Sequence, residues 1–316
     1  MSQDLRAAPS LTHVTELNAA DARLIERMTL PGLPRSAGWD PRFALEHLMG
    51  PNVLWLAESL SQVMDLRPGM RVLDLGCGKA ISSIFLASEF DLQVWATDLW
   101  IGATDNLNRI RDAGVEDRVF PIHAEAHALP FAEGIFDAVV SLDAYQYFGT
   151  DDLYLAYLAR FVKPGGQIGI VCPGFVAELD AVPEHLAPWW EPEFWCFHGP
   201  AWWRSHWERS GAVSVEHADL VPNGWEHWLR FSEVCAEFGY PRDPAVPVDG
   251  ERDAEMLRTD AGRTIGFSRV VGQVSRGGGG ELVEVIQQLP WTQDRDALER
   301  LEDKEVFVAG DDNVGA

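Results

Sequence analysis

Short apolar runs rich in β-branched residues alternate along this chain with segments whose apolar positions recur at helical spacing. Such alternation predicts an α/β fold in which helices connect parallel strands. Five runs precede residue 173 and two follow much later, so we expect a doubly wound, Rossmann-like sheet of seven strands. The predicted strands are residues 71–75, 94–99, 119–123, 136–142, 167–172, 213–218 and 264–271.

Changes in this rhythm divide the rest of the chain. Residues 51–64 carry apolar side chains near helical spacing, which predicts a helix over the end of the sheet. The stretch after the fifth strand is rich in Trp and Pro, and four consecutive glycines precede an acidic end. We therefore expect an N-terminal helical cover at 1–65, an α/β core at 66–175, an inserted Trp-rich lobe with a late strand at 176–262, the last core strand at 263–276, and a linker with an acidic tail at 277–316.

Charge and composition exclude several classes of partner. With 49 acidic and 25 basic side chains the formal net charge is -24, a field that repels nucleic acid and anionic lipid. The four cysteines show no metal-ligand spacing, so we expect no metal site and a reducing, cytoplasmic setting. Because the chain has neither a signal-peptide core at its start nor 18 uninterrupted apolar residues, we expect no secretion by that route and no integral membrane association.

The first predicted strand ends in a short motif, Asp74-Leu75-Gly76-Cys77-Gly78. Ligands of open parallel sheets bind beyond the carboxyl ends of the strands, and glycines there let the backbone approach a ligand closely. A dinucleotide site favours a third glycine at position 81, where the chain has Ile81. A carboxylate before the glycines also suits a ligand amine better than a pyrophosphate, so the motif favours a ligand with a cationic amino-acid part.

Acidic residues also follow the next two predicted strands. Asp98 lies about twenty residues after the glycines, where a carboxylate can accept both hydroxyls of a ribose. Glu125, flanked by Ala124 and Ala126, follows the third strand, where it can read the edge of an adenine. The alternatives are structural: Asp74 and Asp98 each cap the following helix, and Glu125 is a solvent-exposed loop acid.

From Leu66 to Pro173 the chain resembles class I S-adenosylmethionine-dependent methyltransferases, most closely the small-molecule branch described as methyltransferase type 11 or cyclopropane-synthase-like. The matching segments are VLDLGCGKA, VWATDLW, HAEAHALPF, FDAVVSLDAYQYF and FVKPGGQIGIV. The resemblance implies that S-adenosylmethionine is the cofactor and S-adenosylhomocysteine the product. Where the family commonly has a third glycine, this chain has Ala80.

The resemblance also implies roles for individual residues. The methionine part of the cofactor would lie against Asp74, Gly76, Cys77 and Gly78. Asp98 would hold the ribose. The faces and edge of the adenine would meet a further set of residues, and Ser141 would complete the cofactor site at the end of the fourth strand. That adenine set is Leu99, Trp100, Glu125 and Ala126.

Candidate chemistry follows the fourth strand, where cofactor and substrate would meet. Methyl transfer depends chiefly on positioning, and a proton acceptor is needed only when the nucleophile starts protonated. We expect Asp143 to accept that proton or to hold a substrate amine, and Tyr145 to orient the substrate. For Tyr147 and Phe148 we favour packing beneath the next helix.

Six of the 13 tryptophans lie between Trp189 and Trp207. One interpretation is a closed aromatic pocket that favours a methylated cation, and the favoured one is ordinary packing of a small lobe on the sheet. His198 stands beside a Gly-Pro pair, and we take it as a third catalytic candidate, with a hydrogen-bonded surface histidine as its alternative.

These observations together predict methyl transfer to an N, O, S or C atom of a small molecule by direct in-line displacement. One alternative is cyclopropane-synthase-like C-methylation of a lipid, which the net charge disfavours because it argues against membrane docking. The others are a dehydrogenase and a non-catalytic S-adenosylmethionine-binding subunit. Oligomeric state stays open between monomer and homodimer.

Overall fold

A computed structural model describes residues 18–240 and 249–275, and these contain the seven strands that the pattern predicts. Three strand ranges coincide with the prediction. The fifth strand is longer than predicted at both ends, and it starts earlier because it continues through the Pro164-Gly165-Gly166 turn signal. The strands are β1 Arg71–Leu75, β2 Gln93–Asp98, β3 Val119–His123, β4 Phe136–Leu142, β5 Val162–Phe175, β6 Val213–Leu220 and β7 Ile265–Val274.

All seven strands form one sheet in the order β3-β2-β1-β4-β5-β7-β6. The first five are parallel neighbours, as expected. β7 enters between β5 and β6 and is antiparallel to both, so the sheet is mixed rather than wholly parallel. The predicted fold class, a doubly wound Rossmann-like sheet, is confirmed, and the strand order reverses between β1 and β4, where such sheets bind ligands.

Helices cover both faces of the sheet. Several begin at a side chain that accepts a backbone N–H of the first turn, as with Asn18, Asn52 and Asp249. Short 3₁₀ turns occupy Ser36–Gly38, Tyr145–Tyr147, Glu184–Trp189 and Pro192–Cys196. The α-helices are α1 Ala19–Met28, α2 Pro41–Glu46, α3 Val53–Ser61, α4 Ile81–Phe90, α5 Ala103–Asp112, α6 Tyr154–Ala159, α7 Pro200–Arg209, α8 Gly224–Phe238 and α9 Gly250–Asp260.

Two hydrophobic cores lie on opposite faces of the sheet. Val72 and Val140 point into the core beneath α3, α4 and α8, whereas their neighbours Leu73 and Val139 point into the core beneath α6 and α7. Successive side chains of a strand alternate between faces, and here both faces are buried, which explains the nearly continuous apolar runs in the sequence.

The tryptophans divide between the sheet and a small separate cluster. Trp203 and Trp207 of α7 are fully buried against the sheet. Trp189 and Trp190 instead pack around a satellite core that includes Phe194 and Leu257. Packing therefore accounts for these four side chains. The predicted linker and tail at 277–316 lie outside the described residues.

Arginine–glutamate pairs join α1 to the later helices. Arg23 contacts Glu237 at 2.8 Å, and Arg27 contacts Glu233 at 2.9 Å and Glu237 at 3.2 Å. Glu233 of α8 also binds Arg258 of α9 at 2.8 Å. These contacts hold the N-terminal helix against α8. Within the described ranges, none of the helices has the length and apolar character needed to cross a bilayer.

Candidate functional site

A cavity of about 360 Å³ lies beyond the carboxyl ends of β1, β2 and β4, where the strand order reverses. Its floor and sides come from the loops after the first four strands, and its roof comes from residues 44–53 together with Phe231 of α8. The volume lies within the range of about 300–1,000 Å³ that small-molecule sites occupy. The loops after four strands thus line one cavity together with the N-terminal segment.

The glycine loop after β1 is fixed by its own backbone contacts. The N–H groups of Gly76 and Cys77 donate to the Thr97 carbonyl at 2.8 and 3.1 Å. Gly76 has a φ of +75°, and a Cβ at this position would overlap the Ala144 side chain. Glycine is therefore required here for close packing of two loops that both line the cavity.

Asp74 lies beneath this loop and is not part of the cavity wall. Its Oδ2 accepts the hydroxyls of Ser82 and Ser83, each at 2.6 Å, and its Oδ1 has no hydrogen-bond partner among the described residues. Burial raises the pKa of Asp74 to about 6, against the lowering effect of the two serine hydroxyls. The expected direct contact with a ligand amine is therefore absent from this arrangement, and Asp74 supports the start of α4 from below.

Asp98 joins two segments of backbone at the cavity wall. Its Oδ2 accepts the Gly78 N–H at 2.8 Å, and its Oδ1 accepts the Trp100 and Ile101 N–H groups, both at 2.8 Å. A carboxylate offers about four lone-pair positions. Backbone N–H groups occupy three of these positions. One position is therefore left for a ligand hydroxyl, whereas the sequence predicted that Asp98 accepts both hydroxyls of a ribose.

Apolar and polar residues both line the end of the cavity that the loops after β2 and β3 form. Leu99 and Trp100 line the wall with exposed fractions of 50% and 71%, so both present apolar faces to a ligand. The Glu125 carboxylate is held by His127, whose Nδ1 lies 2.7 Å from Oε1 and whose backbone N–H donates to Oε2 at 2.8 Å. These bonds outweigh the effect of burial and lower the pKa of Glu125. Ala126 lines the same wall.

Acidic and basic groups both surround the glycine-loop end of the cavity. His47 of the roof donates Nδ1–H to the Phe43 carbonyl at 2.8 Å, which leaves Nε2 as its acceptor atom. Burial lowers the pKa of His47, and the charges of Arg109 and Lys79 act in the same direction. Burial together with Asp74 and Asp98 raises the pKa of the Cys77 thiol, so this lining residue stays protonated and is a poor nucleophile.

Asp143 faces the cavity from the loop after β4. It is a non-glycine residue with a φ of +54°, and its N–H donates to the Val171 carbonyl at 2.8 Å. Burial raises the pKa of Asp143 to about 7, with a hydrogen bond from Gln146 opposing the rise and Asp253 adding to it. A carboxyl group that titrates near neutral pH can accept or release a proton under ordinary conditions.

Residues 72–166 match the family model described as "Methyltransferase domain". The methyltransferase GfsG of Streptomyces halstedii is 29% identical over 196 residues, which cover 60% of this chain and 64% of that protein. The 27-O-demethylrifamycin SV methyltransferase of Amycolatopsis mediterranei is 30% identical over 116 residues, 36% of this chain and 43% of that protein. The chain thus spans less than two thirds of the length of either relative.

A solved structure shows the same fold. The phosphoethanolamine N-methyltransferase 2 of Haemonchus contortus, in complex with phosphomonomethylethanolamine and S-adenosylhomocysteine, aligns with a TM-score of 0.61 and 19% identity, over 74% of this chain and 57% of that one. Residues 72–166 are thus similar to a methyltransferase domain, and the chain shares the fold of that S-adenosylhomocysteine-bound methyltransferase. The expected family resemblance is therefore confirmed.

Besides Asp74, three of the expected site residues lie outside the cavity. Tyr145 is 0% exposed, with its ring packed against Trp203 and Trp207, and the Ser141 hydroxyl donates to the Leu75 carbonyl at 2.7 Å inside the sheet. His198 stacks on a tryptophan of α7 and lies 2.8 Å from Glu178. Since none of the three lines the cavity, we correct their expected contact roles: Tyr145 is a core residue, Ser141 links two strands, and His198 is a hydrogen-bonded histidine of the Trp-rich region.

The sequence analysis assigned some of the other cavity-lining residues to packing and did not identify the rest. Tyr147 and Phe148 line the cavity, and Tyr147 is 52% exposed, so the favoured packing interpretation is wrong for Tyr147. His47, Gly50 and Phe231 come from the roof, far from the strand ends in sequence. Helical spacing indicated a cover over the sheet, but no local signal shows which of its side chains face inward.

Proposed function

We propose that this protein transfers a methyl group from S-adenosylmethionine to a protic oxygen or nitrogen atom of a largely apolar small molecule. The observation that supports it most directly is the position of Asp143, whose partly buried carboxyl group lies on the wall of the cavity that the glycine loop and Asp98 also line. The relatives are consistent with this, since one is a 27-O-demethylrifamycin SV methyltransferase.

The residues present fit the proposed cofactor in three respects. Asp98 has one acceptor position left for a ribose hydroxyl. Leu99 and Trp100 present exposed apolar faces to an adenine. Lys79 and Arg109 lie near His47 at the glycine-loop end, where their charge favours a carboxylate such as that of a methionine. This last set replaces Asp74 as the proposed partner of the amino-acid part.

When bound, S-adenosylmethionine supplies an electrophilic methyl group on its sulfonium sulfur. The chain's own residues position the acceptor and manage its proton. Tyr147, Phe148 and Phe231 provide apolar surface around Asp143 and limit the access of water. The Asp143 carboxylate then accepts the proton that a hydroxyl or ammonium group loses as it becomes a nucleophile.

Calorimetric titration with S-adenosylmethionine, S-adenosylhomocysteine and NAD tests the cofactor. We expect binding of the two sulfur compounds and none of NAD. Incubation with methyl-labelled S-adenosylmethionine and a panel of phenols, alcohols, amines and thiols, followed by mass spectrometry, then tests transfer. Asp143→Asn should bind the cofactor as wild type does and lose turnover. Cofactor binding without transfer to any protic acceptor would contradict the proposal and favour a non-catalytic binding role.

A further inference from the structure

The Asp143 carboxylate is contacted on both oxygens by residues that the proposed mechanism does not use. Gln146 donates Nε2–H to Oδ1 at 3.3 Å. On the other side the Gly50 backbone of the roof approaches Oδ2. Asp143 itself occupies the left-handed region, which is costly for a residue with a Cβ. Strain of this kind persists only where surrounding contacts hold it.

The amide group of Gln146 lowers the stability of the fold at this position. Its side chain is 0% exposed, and its Oε1 has no hydrogen-bond partner within the described parts of the chain. Burying an unpaired amide oxygen destabilises a protein, and an apolar side chain of similar size avoids that cost. The hydrogen bond to Asp143 therefore accounts for Gln146 better than packing does.

The Asp143 carboxylate explains why position 50 is a glycine. A Cβ at position 50 would overlap Oδ2 of Asp143 and lie 3.6 Å from its Cγ, and apart from the adjacent residues no other atom of the described chain lies within 4 Å. The φ of Gly50 is outside the left-handed region, so the backbone accepts alanine. The absence of a side chain at Gly50 thus leaves space for one carboxylate oxygen.

We propose that Gln146 and Gly50 are positioning residues that together hold the Asp143 carboxylate in one orientation at the cavity wall. The proposal rests on the proposed function and deepens it, because it names the residues that set the direction and ionisation of the proton acceptor. Gln146 stabilises the charged form through its hydrogen bond. Gly50 completes the arrangement from the roof, so the acceptor end of the site is formed by the core and the N-terminal segment together.

The charged and titratable groups that face Asp143 come from three further elements. They are Tyr147 of the 3₁₀ turn, whose phenol also interacts with Gln146, Cys172 of β5 and Asp253 of α9. Burial raises the pKa of Tyr147 to about 12 and raises that of Cys172 above its ordinary range, so both are neutral near pH 7. Asp253, whose pKa burial raises to about 6, is the second acid that titrates in the same range.

The test measures the titration of Asp143 directly, by ¹³C NMR of protein labelled at the aspartate carboxyl carbons, with Asp143→Asn to assign the signal. In Gln146→Met the hydrogen bond to the charged form is lost, so we expect the midpoint to rise by on the order of one pH unit. The melting temperature should be unchanged or higher because a buried unpaired oxygen is removed. Turnover should fall at neutral pH, with the affinity for S-adenosylmethionine unaltered.

Gly50→Ala provides a second, independent perturbation. Its Cβ displaces the carboxylate, so the Asp143 midpoint should shift, whereas Gly38→Ala, which has open space around its Cβ, should leave it unchanged. An Asp143 midpoint identical to wild type in either Gln146→Met or Gly50→Ala overturns the proposal. If Gln146→Met does not fold, packing explains Gln146 and the proposal also fails. Since the NMR titration needs neither cofactor nor acceptor, its outcome is separate from failure of the proposed function, which would appear as absent binding or absent transfer.

Discussion

Replacing Asp98 tests whether one carboxylate both builds the site and binds the ligand. It accepts three backbone N–H groups at 2.8 Å, from the glycine loop and from the turn after β2, while only 9% of the residue is exposed. Asp98→Ala removes all three bonds at once. We therefore expect a loss of stability in the absence of any ligand, in addition to weaker binding of S-adenosylmethionine.

The size of the effect follows from these contacts. A hydrogen bond to a charged group contributes about 1.5–3 kcal/mol, but three that share one carboxylate do not add. We expect Asp98→Ala to lower the free energy of unfolding by about 3 kcal/mol, which corresponds to a fall in melting temperature of roughly 6–12 °C. Asp98→Asn keeps one oxygen for Trp100 and Ile101 and sets an amide N–H against the Gly78 N–H, so its loss should be smaller.

Thermal unfolding without ligand ranks the variants, and calorimetry well below each melting temperature measures cofactor affinity. Asp112→Ala, which removes an exposed acid at the end of α5, is the matched control and should behave as wild type. If Asp98→Ala has the melting temperature of the wild type but does not bind the cofactor, the three hydrogen bonds to backbone N–H groups do not stabilise the fold. If it is destabilised yet binds the cofactor normally, the ribose lies elsewhere.

Two further outcomes follow from strained or buried residues. Ala80 precedes α4 with a φ of +61° and is fully buried. Because a Cβ is unfavourable in this backbone conformation, Ala80→Gly should raise the free energy of unfolding, measured by chemical denaturation, by about 1 kcal/mol and leave cofactor affinity unchanged. A loss of stability would contradict this expectation. Burial raises the pKa values of Asp74, Asp143 and Asp253 to about 6, 7 and 6, above the ordinary value of 3.8. Folding therefore favours their protonated forms, and this stabilisation is complete below the ordinary value and lost as pH rises through the folded values. Melting temperature should fall between about pH 4 and pH 7, and Asp143→Asn should flatten that slope; a rising curve would refute the shifts.

Most of the sheet was predictable because each buried strand leaves a local signal. β1, β3 and β4 have the predicted bounds, since continuous apolar runs are confined by polar turns on both sides. The direction of β7 was not predictable, because a buried strand has the same apolar pattern whether it runs parallel or antiparallel to its two neighbours. The pairing of β7 with β5 is fixed by contacts between residues about one hundred positions apart.

The site divides in the same way. Gly76, Asp98 and Trp100 could be placed at one edge because parallel strands end together. Asp98 accepts three backbone N–H groups because of the turn that follows it, and the sequence does not show the shape of that turn. Asp74 faces α4 instead of the cavity because side chains alternate between the two faces of the sheet along β1. Tyr145 lies one turn from the cavity-lining Tyr147, yet the sequence alone does not distinguish which aromatic ring faces the core.

The ion pairs between α1 and α8 have a consequence for how molecules reach the cavity. Phe231 of the roof belongs to α8, which these arginine–glutamate pairs hold against α1, and the participating side chains are partly exposed. Exposed pairs contribute about 0.2–1 kcal/mol each, and added salt weakens them. Ionic strength therefore acts on the helix that carries Phe231 and not on Asp143: the rates at which ligands bind and leave should depend on salt, whereas the chemical step beside Asp143 should not.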